Sequence, residues 1–202
     1  MNTRRNTIGW GFFLIWALAT LFGFVLGFLV FFIAMSVLGE SSKSIPEFAA
    51  VSLLTFSFGT VIGVAQWSVL RRYVQRSAIW IAVTLLGFLI SSPVLLSMSG
   101  GFGPYITSLA SLRMSAALGA ALGIAQWFAF RKKVNRAALW IGISLIGWVV
   151  AGLFGMALKT LSWEMGPILY WLGLFFFGTV LSAVGMMWLL NHPTASANLL
   201  AA

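Results

Sequence analysis

The side chains from which enzymes build active sites are scarce in this chain. Its carboxylates are Glu40, Glu47 and Glu164, its one histidine is His192, and it has no cysteine. The three acids are far apart in sequence and fall at breaks in the apolar pattern, so they form no recognisable carboxylate pair or metal set. His192 stands beside Pro193 and reads as the end of a helix. Ser91, Ser92, Ser97 and Ser99 have no visible base to activate them as nucleophiles. The stretch "SGGFGP" (99–104) lacks the lysine and the spacing of a phosphate loop and reads as a glycine-rich turn. Absence of cysteine removes disulfides, thiol catalysis and thiolate metal sites together. The expectation is a protein that is not an enzyme. No covalent or metal-ligand motif for a cofactor is visible, which leaves a non-covalently held lipid, pigment or quinone as the compatible kind.

Two polar features remain. The first is a glutamine repeated in context: "GTVIGVAQW" from Gly59 and "GAALGIAQW" from Gly119, each followed by a basic cluster. Gly59, Gly63 and Gln66 sit at i, i+4 and i+7, as do Gly119, Gly123 and Gln126, so each set is one stripe on a helix. Trp16, Thr20 and Gly23 share that spacing with Trp80, Thr84, Gly87 and with Trp140, Ser144, Gly147. In lipid, helices associate by close approach over small residues and by interhelical hydrogen bonds, so these stripes read as seams. Gln66 and Gln126 are expected to bond across a seam to Thr or Ser of a neighbouring helix, with Thr84 and Ser144 as further candidates for the polar seam. The sharper alternative is that the glutamines converge on a central axis and hold a polar ligand. The second feature is Arg113, which falls within a predicted span. It lies 18 residues before Arg131, roughly 27 Å along a helix, near the outer edge of the hydrocarbon. It is expected to reach outward or pair with Glu47 or Glu164, the alternative being an anion or lipid-headgroup site.

The elements that would position these residues are membrane helices. Of 202 residues 61% are hydrophobic and 7% charged, too little polar surface to cover a water-soluble fold. Breaks at "GESSKSIPE", "RRYVQRS", "SGGFGP", "RKKVNRA" and "KTLSWEMGP" predict six spans, near 9–37, 46–70, 78–98, 104–130, 138–158 and 167–190, with 191–202 as a short tail. The apolar runs are continuous, which disfavours a β-barrel. The first run is too long for a signal peptide and lacks a convincing cleavage site, so it reads as an uncleaved span. With the N-terminus placed in the cytoplasm, that side carries Arg4, Arg5, Arg71, Arg72, Arg76, Arg131, Lys132, Lys133 and Arg136, against Lys43 and Lys159 opposite. Such a bias puts both termini in the cytoplasm, in a bacterial cytoplasmic or thylakoid-type membrane. The net charge of +9 then suits anionic lipid rather than nucleic acid. Pro46, Pro104 and Pro167 mark the starts of the even helices, Ser44 with Glu47 has the form of a capping box, and Pro93 should kink the third helix.

The odd helices repeat "IWALATLFGF", "IWIAVTLLGF" and "LWIGISLIGW"; the even ones end with a worn third copy, "GTVLSAVGM" from Gly178, in which Gly185 replaces the glutamine. The expected fold is therefore three tandem parallel αα-hairpins (9–70, 78–130, 138–190), pseudo-threefold about the membrane normal. These blocks resemble a loose group of bacterial membrane proteins, found in cyanobacteria and Chloroflexi, that carry "QW…LRR…W" repeats; the resemblance covers about 59–150 and implies no activity. The P-x-[DE]-x-x-[KR] signature of mitochondrial carriers is missing after the odd helices.

The functional expectation is an accessory subunit that packs against other membrane proteins, itself, lipids or hydrophobic cofactors. The alternative is a small transporter or channel for a hydrophobic or neutral solute along the central axis, lined by Gln66, Gln126, Thr84 and Ser144 with Arg113 near the outer mouth.

Overall fold

A computed structural model describes residues 8–38, 46–75, 77–98, 108–159 and 166–192. Six α-helices account for nearly all of them: α1 (Trp10–Leu38), α2 (Glu47–Leu70), α3 (Ile79–Met98), α4 (Ser108–Phe130), α5 (Leu139–Lys159) and α6 (Gly166–Leu190). No β-strand occurs among the described residues. Four helices are long and apolar enough to cross a membrane, over Trp10–Val37, Phe48–Leu70, Leu139–Leu158 and Leu169–Leu190, which suggests a membrane protein. The described apolar part of α3 is shorter, Ile79–Pro93. α4 is diluted by Arg113, Gln126 and many small residues and is not among the four.

Among the described residues, each helix packs on its neighbours in sequence, and α1 packs on α6. The six thus form a closed ring whose sparsest seam is α1 against α6. Outward faces are apolar: Leu14, Leu18, Phe22 and Val25 of α1, Ile90 of α3, Ile146 of α5 and Leu172 of α6 are all exposed. An apolar outer face suits lipid, where a helix also satisfies its own backbone groups.

The seams follow from small residues. A methyl built on Gly59 would lie 2.7 Å from Leu85 Cα, on Gly119 2.9 Å from the Ser144 carbonyl oxygen, and on Gly87 2.9 Å from Leu122 Cα. Gly63 and Gly123 meet the backbone at Ile81 and Ile141 at 3.1 and 3.0 Å in the same way. Gly147 differs, since its methyl would make ordinary contact with Leu181 at 3.4 Å.

Two local expectations need adjustment or detail. Pro46 is the N-cap of α2 rather than a first-turn residue, with no side-chain cap bond, and its carbonyl accepts from Ala49 and Ala50. Glu47 then opens the helix, too early to serve as the third residue of a capping box, and Ser44 lies outside the described residues. Pro93 sits inside α3 and cannot donate to the Leu89 carbonyl one turn earlier. The Ser92 hydroxyl donates to that carbonyl instead, at 2.6 Å. Arg4, Arg5, Glu40, Lys43, Arg76, the 99–104 turn with Pro104, Glu164 and the tail from 193 fall outside the described residues.

Candidate functional site

The inner faces of the odd helices stack three layers at i, i+4 and i+8. The first holds Trp16, Trp80 and Trp140, the second Thr20, Thr84 and Ser144, the third Phe24, Phe88 and Trp148. All nine except Trp148 are buried, Trp16 completely. In the first layer Trp80 lies 5.9 Å from Trp16 and 6.3 Å from Trp140, ring centre to ring centre, with Phe130 at 5.0 Å. In the third, Phe24 stacks on Phe175 at 4.1 Å and meets Trp148 at 6.2 Å, and Phe58 meets Phe88 at 6.3 Å. Aromatic side chains therefore occupy the axis on both sides of the polar layer.

Within the polar layer Gln66 ties three helices. Its Nε2 donates to Thr20 Oγ1 of α1 at 3.1 Å, and its Oε1 accepts from Trp80 Nε1 of α3 at 2.9 Å. Gln126 repeats the arrangement one pair further on, donating to Thr84 Oγ1 at 3.0 Å and accepting from Trp140 Nε1 at 2.9 Å. The two carboxamides are 6% and 4% exposed, so each meets its need for partners inside the protein. At the third position Gly185 has no side chain to offer, and a methyl there would run into Ile143. Trp16 Nε1 donates instead to Ser182 Oγ, one turn earlier on α6, at a longer 3.3 Å.

Beside this third position lies a cavity of about 40 Å³. Its polar lining is Thr20, Gln66, Thr84, Gln126, Ser144, Thr179 and Ser182, and its apolar lining includes Phe24, Phe88 and Trp148. Thr179 Oγ1 is buried with no hydrogen-bond partner in the protein. No lining residue is ionisable, and among the described residues no cluster of His, Cys, Asp and Glu could hold a metal ion.

The candidate residues thus separate. Gln66, Gln126, Thr84 and Ser144 meet at one cavity, while Gly59, Gly63, Gly87, Gly119 and Gly123 set the helix spacing around it. Arg113 is exposed on α4 and takes no part in the cavity; the Glu47 side chain and Glu164, its suggested partners, lie outside what is described. Sequence reasoning did not single out Ser182, Thr179 or the tryptophan N–H groups as members of the site. The signal for Ser182 was present, since it stands four residues after Gly178 as Gly63 and Gly123 stand after Gly59 and Gly119.

A second polar group of contacts gathers one end of the bundle. Asn191 Oδ1 accepts from the Ile8 N–H at 2.9 Å and its Nδ2 donates to the Ile8 carbonyl at 3.0 Å, joining the start of α1 to the end of α6. Asn135 N–H donates to the His192 carbonyl at 2.9 Å, and Lys133 Nζ to the Gln75 carbonyl at 2.7 Å. The same end carries Arg71, Arg72, Arg131, Lys132 and Arg136, all exposed or, for Lys133, half-buried. Arg71 lies over Trp67 at 5.2 Å and Arg131 over Trp127 at 5.8 Å, within cation–π range.

No family model, curated protein or solved structure matches the chain.

Proposed function

We propose that this chain is a non-enzymatic integral membrane protein of six spans, built as three tandem αα-hairpins in pseudo-threefold array, that serves as an accessory subunit. It packs against other membrane proteins, a second copy of itself, lipids or hydrophobic cofactors. The observation that carries this reading is where the apolar and the open surfaces lie. The axis is occupied by aromatic layers flanking a cavity of about 40 Å³. Outside, a groove of about 620 Å³ with no polar lining runs along α1, the end of α5 and α6, between Leu21, Val25, Phe28, Leu158, Trp171 and Phe175. A groove of that size matches a small hydrophobic molecule or a partner's side chains better than any solute moving through the bundle. The basic end, from Arg71 to Arg136, is oriented to the cytoplasm of a bacterial cell with both termini, where it meets anionic lipid.

Native mass spectrometry after gentle extraction tests the reading. Partner proteins or a pigment in fixed ratio support it; a solitary chain with substrate-dependent flux overturns it.

One observation favours a second reading, a small transporter for a neutral solute. Seven polar side chains meet at the axial cavity. On that reading Gln66→Leu with Gln126→Leu abolishes flux in vesicles, whereas on the first it only loosens packing.

A further inference from the structure

The axial cavity lies against the third helix pair, lined there by Ile143, Ser144, Gly147, Gly178, Thr179 and Ser182, and one of its buried hydroxyls lacks a partner. In the first two helix pairs Thr20 and Thr84 each receive a carboxamide N–H. Ser144 holds the corresponding place on α5, where Gly185 offers it no carboxamide. Thr179, on α6, has its hydroxyl buried and unpartnered. Both residues are more than nine-tenths buried, at 8% and 1% exposed, and both line the cavity. A hydroxyl taken from water without a replacement partner destabilises a fold, and more so where no solvent can reach it.

We infer that the cavity is a binding site for a small neutral hydrogen-bonding species that stands in for the missing carboxamide, bridging Ser144 and Thr179 to the glutamine layer. Its volume of about 40 Å³ holds about three waters at roughly 10–15 Å³ each, or one molecule of about the size of formamide. The lining selects for neutrality: it supplies hydroxyls and carboxamides but no ionisable group, so an ion entering would lose its hydration with no counter-charge. The lining also selects for mixed donor and acceptor character, because a hydroxyl can both give and take a hydrogen bond.

The sign of a stability change tests this on the full chain in lipid nanodiscs. Thr179→Val keeps the shape and removes the hydroxyl; Ser144→Ala does the same at the other bank. If the site is occupied, each variant loses a bridge and its thermal midpoint falls by about 3 °C. Formamide is the probe that separates the two occupants. A midpoint raised by formamide in the native chain but not in Thr179→Val identifies a small amide-like ligand. Falls in both variants without any formamide response identify a water cluster. If both variants keep or raise the midpoint, the hydroxyls face a dry cavity, their removal is favourable, and the inference is overturned.

Discussion

In the first two helix pairs a glutamine bridges three helices, whereas in the third Gly185 stands at that position and Ser182 accepts Trp16 at 3.3 Å. The third pair compensates by approach. A methyl on Gly155 would lie 2.6 Å from the Tyr170 carbonyl oxygen and one on Gly173 2.9 Å from Gly155 Cα, so α5 and α6 nearly touch toward their other ends. At Gly185 the side chain of Ile143 fills the space a glutamine would need. The ring is therefore held in two modes: a glutamine tie beside close glycine seams at Gly59 and Gly119 in the first two pairs, and close approach at Gly155 and Gly173 without the tie in the third.

The largest expected effect comes from breaking a polar tie. Gln66→Leu removes the acceptor for Trp80 Nε1 and the donor to Thr20, both buried. Interhelical hydrogen bonds in membranes contribute about 0.6 kcal/mol on average, but a buried N–H left unpaired costs a further ~1–3 kcal/mol. A loss of about 3 kcal/mol is expected for Gln66→Leu and for Gln126→Leu. Ser182→Ala, which breaks one long bond, should lose about 1 kcal/mol or less. Equilibrium unfolding in mixed micelles measures all three; equal losses at Gln66 and Ser182 would remove the distinction between the two modes.

The seam glycines sharpen the same contrast. Gly59→Ala and Gly119→Ala push a methyl against backbone atoms at 2.7 and 2.9 Å, which side-chain rotation cannot relieve. Overpacking of this kind costs about 1–3 kcal/mol. Gly178, the corresponding residue of α6, would place its methyl 3.7 Å from Ala151 Cβ, so Gly178→Ala should change stability by less than ~0.5 kcal/mol. The same unfolding series reports all three.

How much of this could be read from the sequence depends on whether a residue signals through repetition. Six helices were legible because each run is apolar and its breaks are charged or rich in glycine. Gln66, Thr20 and Trp80 announced themselves by recurring at fixed spacing, so a seam was foreseeable, but spacing along one helix does not say which neighbour a side chain faces. That Trp80 bonds the glutamine of the preceding pair, rather than its own, follows from the packing of α3 on α2. Ser182 escaped notice because a serine among glycines looks like one more small residue. Asn191 and Ile8 are 183 residues apart, and no local pattern joins them.

A coupling experiment isolates the third pair. Gly185→Ala drives a methyl into Ile143 and should cost about 2 kcal/mol. Ile143→Ala alone leaves a void and costs about 2 kcal/mol as well. Because each change relieves the other's fault, the double variant should be less destabilised than the sum by at least ~1 kcal/mol, as expected for residues in contact. Strict additivity would mean that Gly185 is glycine for some reason other than the approach of α5.

A small global effect is expected at Asn191, and it bears on how the ring closes. The α1–α6 seam is the sparsest, yet the chain passes through it at no point, so nothing covalent holds α1 against α6. Two bonds from one carboxamide to the N–H and C=O of Ile8 supply a substitute, and a third, to the Met187 carbonyl, fixes that side chain on α6. The site is half-buried at the end of the bundle, where water can replace lost partners, so Asn191→Ala should lower global stability by only ~1 kcal/mol. Local opening should change far more. Hydrogen exchange at the first turn of α1 is expected to quicken about tenfold or more in Asn191→Ala, while exchange in α3 and α4 stays as it was. If α1 and α3 accelerate together, the ring opens as a unit, and the seam closed by Asn191 is no weaker than the seams closed by glutamine.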